Sequence, residues 1–327
     1  MRRTLLSGWF SFRDGEVTAG DELALRRVQH ALDAAGLPYD TAWSPGFRPD
    51  ALHLEEVDPR WYEQLVFVCG PLHGPQIEAL HRCFAHCLRI AVGTSVIDPA
   101  ASAVTGFHHV LARDGAGHRV AQDLAAAGHA ALRGGRRPPV VGVVLTHGQR
   151  EYGERRRHDE AAGAVTRWLG TKDCACLPLD TRLAPDDWRL CATPEQLDAA
   201  LARLDLVVTD RLHGMVLALC AGVPALAVDP VEGGAKVTAQ ARACRWPAVV
   251  PAGALGPAEF DRWWGWCLGE GRERAEECRR RFREEPDETL TARLTALLAD
   301  AAGAAQCAST MTMPRPTIGS RHDEMDP

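Results

Sequence analysis

Eight short apolar runs, alternating with segments of helical periodicity, restrict this chain more than any other feature. The runs are TLLSGWF (Thr4–Phe10), QLVFVCG (Gln64–Gly70), IAVGTSV (Ile90–Val96), FHHVLARD (Phe107–Asp114), VVGVVL (Val140–Leu145), DCACLPL (Asp173–Leu179), DLVVTD (Asp205–Asp210) and VPALAVD (Val223–Asp229). Between them lie helical patterns. DELALRRVQHALDAAG places Leu25, Val28, Leu32 and Ala35 on one stripe, with Gly36 as the stop. TPEQLDAALARL opens with Thr193 as N-cap, Pro194 in the first helical position and Gln196 to complete a capping box. Further helices are expected near 76–89, 160–169 and 257–283, with another ending at Leu298. Strands that alternate with helices in this way form a parallel sheet covered by helices.

RGGRRPPV (Arg133–Val140) interrupts the alternation, because two glycines and a double proline cannot continue a helix. It divides the chain into an amino-terminal domain at 1–134 and a carboxyl-terminal domain at 135–300, with 301–327 expected to be a disordered tail. The fold class is therefore α/β: two Rossmann-like domains facing a cleft, GT-B-like, with parallel sheets flanked by helices. Trp263, Trp264 and Trp266 share one helical segment and are expected to pack against the neighbouring domain rather than to stack on sugar rings.

Composition excludes several classes of function. A net charge of −6 argues against nucleic acid as a partner. No apolar run reaches the roughly 20 residues that span a bilayer. The opening MRRTLLSGWFSF lacks a signal-peptide pattern, so the expected location is cytoplasmic. Eleven cysteines, odd in number and scattered, do not form a disulfide framework. Cys83 and Cys87 lie near His81 and His86 but flank the stripe Ile77, Leu80, Phe84 and Leu88, and are read as small buried hydrophobes. Cys174 and Cys176 share a strand face without a second ligand pair, so no metal site is expected. Only Lys172 and Lys236 among 37 basic residues are lysines, which draws notice to where a compact ammonium has been kept.

One segment is not explained by burial. In VVTDRLHGMVLALCAG an arginine and a histidine stand where a strand gives way to a helix. Ligands of open α/β sheets bind outside the carboxyl ends of the strands. A helix start there offers free N–H groups and the positive end of the dipole to an anion. Arg211 adds a planar fork for carboxylate or phosphate, and His213 a group that exchanges protons near neutrality. The plainer alternative is that Arg211 pairs with a carboxylate such as Asp210 while His213 caps the helix.

The stretch VVTDRLHGMVLALCAGVPALAVDP followed by GGAKV resembles the signature of the polysaccharide pyruvyltransferase family: an R-L-H-G loop, a small-residue helix, G-[VI]-P, a strand, and then a lysine, here Lys236. Near the amino terminus, GWFSFRDGEVTAGDELALRRV is similar to the family's first strand, loop and Gly-Asp helix opening, with Gly20 and Asp21 matching. LARDGAGHRVAQDLAAAG resembles its Arg-Asp segment at Arg113 and Asp114, which are read as a structural pair.

The resemblance implies transfer of the enolpyruvyl group of phosphoenolpyruvate to two hydroxyls of a sugar, giving a pyruvate ketal and phosphate. Phosphoenolpyruvate would be a co-substrate and no cofactor is implied. The acceptor would be a sugar or glycolipid, with peripheral contact to a membrane that carries it. On this reading Arg211, Lys236 and the loop glycine Gly214 bind phosphoenolpyruvate. Arg150, in THGQREYG, is a shifted candidate for a further family arginine. His213 is the acid–base residue. Asp21 either accepts a hydrogen bond from the sugar or is a plain helix cap. Two other functions fit the same architecture: a GT-B-type glycosyltransferase using a nucleotide sugar, and an inactive binding or scaffold relative.

Overall fold

The computed structural model describes residues 3–115, 117, 119–130, 137–146 and 150–310. The chain divides into two units, Met1–Arg136 and Arg137–Pro327. Residues 133–136 of the sequence-predicted linker, and residues 311–327 of the expected tail, lie outside the described residues.

Unit 1 runs β1 (Thr4–Ser7), α1 (Ala19–Ala34), β2 (Tyr39–Thr41), β3 (Gln64–Val68), α2 (Pro75–Cys83), β4 (Leu88–Val96), α3 (Ser102–Thr105), β5 (His109–Gly115) and α4 (Leu124–Ala130). Its strands are all parallel, in the order β2-β1-β3-β4-β5. Side-chain alternation then separates two cores. Leu5, Leu65, Phe67 and Ala91 pack with Ile77 and Leu80 of α2, whereas Leu6 and Val68 pack with Ala24 and Leu25 of α1.

Several boundaries differ from the sequence expectation for local reasons. β1 ends at Ser7, not Phe10, because Gly8 enters a 3-10 turn at Trp9–Ser11. A Cβ at Gly8 would lie 2.6 Å from the Val68 carbonyl oxygen, so the turn requires glycine. The Trp9 indole then donates to the Pro71 carbonyl at 3.0 Å. α2 stops at Cys83 instead of running towards residue 89, since Phe84 and Cys87 turn into the core. Cys87 is buried as expected, but Cys83 is exposed. β2, only three residues long, was not legible as a strand.

Unit 2 runs β6 (Val140–Val144), α5 (His158–Leu169), β7 (Ala175–Pro178), α6 (Pro194–Leu201), β8 (Leu206–Thr209), α7 (Leu212–Cys220), β9 (Ala225–Asp229), α8 (Lys236–Ala243), β10 (Val249–Pro251), α9 (Pro257–Leu268), α10 (Glu270–Glu284) and α11 (Thr289–Thr310). This sheet is also parallel throughout, in the order β10-β9-β8-β6-β7. Each unit therefore has its first strand between its second and third, the flavodoxin-like arrangement of a doubly wound sheet. The expectation of two Rossmann-like domains with parallel, helix-flanked sheets is borne out.

β8 and β9 are buried along their whole length, and α7 adds Met215, Ala218 and Leu219 to the same core. The tryptophans of α9 pack against this core of their own unit. Trp264 meets Trp168 edge-on at 5.4 Å, and Trp266 meets Trp246 at 5.2 Å. Thr193 caps α6 by accepting from the Gln196 amide, but the Gln196 side chain reaches back to the Ala192 N–H at 2.8 Å, one residue beyond a capping box. α11 continues to Thr310, so the start of the expected tail is helical. No helix among the described residues is long and apolar enough to cross a membrane.

Candidate active site at the carboxyl edge of the second sheet

In a sheet ordered this way, connections leave the first and third strands in opposite directions and open a crevice between their carboxyl ends. In unit 2 that crevice lies between β6 and β8. Its floor is tied together by polar groups. Thr209, the last residue of β8, donates to the Val144 carbonyl at 2.8 Å and accepts from the Arg211 N–H at 3.0 Å. Asp210 is 2 % exposed and accepts from the Thr146 N–H at 2.7 Å.

Asp210 is thus committed to the backbone of the neighbouring strand end. Arg211 finds a different carboxylate. As the N-cap residue of α7 it turns its side chain across the loops after β6 and β7. Nε donates to Thr146 Oγ1 at 3.0 Å; Nη1 donates to Asp180 Oδ1 at 2.6 Å and to Thr181 Oγ1 at 2.8 Å. The sequence-derived pairing with Asp210 is corrected to Asp180.

Asp180 also accepts from the Arg182 amide at 2.9 Å and its guanidinium at 2.7 Å. Burial works to raise the Asp180 pKa, but the Arg182 hydrogen bonds and the Arg211 charge outweigh it and hold the carboxyl below its ordinary range. The carboxylate stays ionised near neutrality and fixes two guanidinium groups at the rim.

Lys236 arrives from the loop after β9. Asp229, fully buried, accepts from the N–H groups of Val231, Ala235 and Thr238 and from the Thr238 hydroxyl, at 3.2, 2.7, 2.9 and 2.6 Å. Gly233 and Gly234 supply the left-handed φ values, 79° and 82°, that turn the loop back onto this carboxylate. Lys236 is the first residue of α8, and its ammonium lies 5.8 Å from the Tyr152 ring centroid, within cation–π range. The other lysine, Lys172, is paired with Asp261 at 2.5 Å.

Thr181, Arg182, Arg211, Leu212, His213 and Lys236 line a single pocket of about 380 Å³. His213 is the second residue of α7 and is exposed. Three cations surround a space next to the starts of two helices, which suits a small, multiply charged anion. Close by, His158 stacks on Tyr152 with centroids 6.5 Å apart. Burial, then the charges of Arg156 and Lys236, lowers the His158 pKa, so this second imidazole is neutral at pH 7. Among the described residues no three His, Cys, Asp or Glu side chains gather as a metal site.

The remaining candidates are Gly214, Arg150 and Asp21. Gly214 is buried, and a Cβ there would meet Thr209 Oγ1 at 2.3 Å. Helix–strand packing by itself therefore requires a glycine here. Gly214→Ala is expected to cost about 1–3 kcal/mol through overpacking, read as a lower denaturant midpoint at unchanged slope. Arg150 begins a 3-10 turn at Arg150–Arg155, and its side chain lies outside the described residues. Asp21 belongs to unit 1, where its carboxylate accepts from the N–H and hydroxyl of Thr18, the N-cap of α1, at 3.2 and 2.7 Å. That is the cap reading, displaced by three residues. Burial first, then Asp21, pushes the neighbouring Cys69 thiol up to about 11. Arg113 is held by Asp114 and Asp123, a structural cluster as read.

Sequence reasoning missed Asp180, Thr181, Arg182 and Tyr152. The signal was available for the first three, because DTR directly follows the strand DCACLPL, at the same carboxyl edge that drew attention to Arg211.

The polysaccharide pyruvyl transferase family model matches residues 178–230. The matched segment carries that family's signature. It includes Asp180, Thr181, Arg182, Arg211 and His213 of the pocket and ends before Lys236. A search of curated proteins finds no match. Among solved structures, the chain is similar to the spinosyn forosaminyltransferase SpnP at 13% identity, covering 91% of this chain and 99% of that one, with a TM-score of 0.33. It is similar to the UDP-GlcNAc 2-epimerase from Methanocaldococcus jannaschii at 9% identity, 86% and 99% coverage and a TM-score of 0.30. For the glycosyltransferase SnogD from Streptomyces nogalater the values are 15%, 90%, 99% and 0.30. These likenesses are weak, and the fold rests on the strand orders given above. The family match is confined to this stretch of unit 2, from the end of β7 to the residue after β9.

Proposed function

We propose that the unit 2 pocket binds phosphoenolpyruvate and that the chain transfers its enolpyruvyl group to two hydroxyls of a sugar, forming a pyruvate ketal and releasing phosphate. The observation that carries the reading is the convergence of Arg182, Arg211, His213 and Lys236 on one pocket at the sheet's carboxyl edge. The family match over 178–230 supports the same chemistry.

In this reading the guanidinium and ammonium groups hold the carboxylate and phosphate, and the α7 and α8 helix starts add to the field. Protonation of the methylene carbon and attack of one sugar hydroxyl on C2 give a tetrahedral adduct that still carries phosphate. The second hydroxyl displaces the phosphate, so both hydroxyl oxygens end on one carbon. His213 is the proton donor and acceptor for these steps, since it lines the pocket and is exposed to an incoming acceptor. Negative charge that gathers on the departing phosphate meets cations already held by Asp180 and Tyr152.

The test is phosphate release from phosphoenolpyruvate across a panel of sugar and glycolipid acceptors, with mass spectrometry of the acceptor. Pyruvate addition to a sugar is expected. Absence of turnover, together with calorimetric binding of a nucleoside diphosphate and none of phosphoenolpyruvate, would replace this reading with a nucleotide-sugar transferase.

A further inference from the structure

α11 presents an apolar stripe that the other described residues do not cover. Every residue from 289 to 301 is exposed. Leu290, Leu294, Leu297 and Leu298 are 81%, 55%, 59% and 61% exposed, in a region with few other apolar side chains so open to water. Leu290, Leu294, Leu297 and Ala301 repeat at intervals of four, three and four, the seam of a two-helix coiled coil.

The two flanks of this seam differ. Leu298 and Thr291 lie along one side, whereas Arg293 and Asp300 lie along the other. The two charged residues are seven apart on one face, two turns of helix, too far to pair with each other. In a parallel pair of such helices, the charged flank of each would face the leucine flank of its partner. In an antiparallel pair each flank meets its own kind. Leu294 then packs against Leu297 of the second copy and Leu290 against Ala301. Arg293 lies opposite the second copy's Asp300, twice over by the two-fold axis. The charge pattern is complementary to itself in that one arrangement.

We propose that α11 is the interface between two copies of this chain, paired antiparallel through Leu290, Leu294 and Leu297 with reciprocal Arg293–Asp300 ion pairs. An isologous contact of this kind closes as a dimer and leaves no edge for further growth. A lipid surface is the less fitting occupant, because Arg293 and Asp300 cancel and the helix has no basic face to meet anionic headgroups.

The experiment is sedimentation of the full chain over a concentration series. Wild type is expected to dimerise, and the Leu294→Asp/Leu297→Asp double variant to sediment as a monomer with unchanged near-ultraviolet circular dichroism, since these side chains support no core. Arg293→Glu and Asp300→Arg are each expected to weaken the dimer roughly tenfold by setting two like-charge pairs in contact. An equimolar mixture of the two single variants should recover wild-type association, because each heterodimer then regains two opposite-charge pairs. The doubly swapped chain should do the same. A wild type that stays monomeric, or a dimer indifferent to the leucine changes, overturns the interface. Leucine sensitivity without rescue in the mixture overturns the antiparallel register. Co-sedimentation of wild type with vesicles of phosphatidylcholine and phosphatidylglycerol, lost in the leucine variant, would make lipid the occupant instead.

Discussion

Arg211→Ala is expected to lower kcat/KM for phosphoenolpyruvate by about 10²–10³, measured as initial rates of phosphate release, while the fold is kept. Truncating one partner of a partly buried, charge-assisted contact removes about 3–4 kcal/mol of transition-state stabilisation. The fold should tolerate the change because the N-cap role of Arg211 is played by its backbone. Its N–H still donates to Thr209, and Asp180 keeps its Arg182 bonds. Arg211→Lys should recover little. A lysine offers a point charge and cannot bridge Thr146, Thr181 and Asp180 as the guanidinium does while leaving an edge for the ligand. Lys236→Met is the comparison: its ammonium is only half-buried and leans on Tyr152, so a loss of roughly tenfold in affinity is expected. Normal rates in Arg211→Ala would mean that the guanidinium is a strut between three loops and nothing more.

Asp180 also shows why the site was only partly legible in the sequence. Arg211 could be singled out because it breaks an apolar run at a strand end, and a local pattern is enough to see that. Its counter-charge could not be identified, since which carboxylate reaches it depends on β7 lying beside β6, a long-range pairing with no local mark. Asp210 was the nearer choice along the chain, but the Thr146 amide of the adjacent strand claims it.

The same limit applies to the fold. Strands buried on both faces, such as β8 and β9, are legible to within two residues, because their apolar runs leave few other structures open. β2 and β10, three residues each at or beside sheet edges, carry too little pattern to be seen. α8 was hidden behind EGGAK, which reads as a loop until the buried Asp229 carboxylate is known to start a helix there. The α9 tryptophans pack on the core of their own unit, a surface that periodicity cannot name.

Asp229→Ala should be among the most destabilising single changes in unit 2, at about 3–4 kcal/mol. A buried N–H or hydroxyl deprived of its acceptor costs about 1–3 kcal/mol, partly relieved by relaxation or entering water. Here three N–H groups and one hydroxyl depend on a single carboxylate. At the 2–4 °C per kcal/mol typical of a domain of this size, the melting temperature should fall by roughly 10 °C. Asp229→Asn keeps one acceptor oxygen but turns an NH₂ towards the donors, so about half that loss is expected. The change also separates packing from ligand binding. Without the carboxylate, residues 230–235 lose the anchor that presents Lys236, so phosphoenolpyruvate affinity should fall in Asp229→Ala even well below its melting temperature. Lys236→Met should weaken binding without moving the melting temperature, since its ammonium rests on one half-buried ring and belongs to no hydrophobic core. If Asp229→Ala melts like wild type, the loop is held by something other than the carboxylate. If it melts early yet binds normally, Lys236 reaches the pocket without this cap.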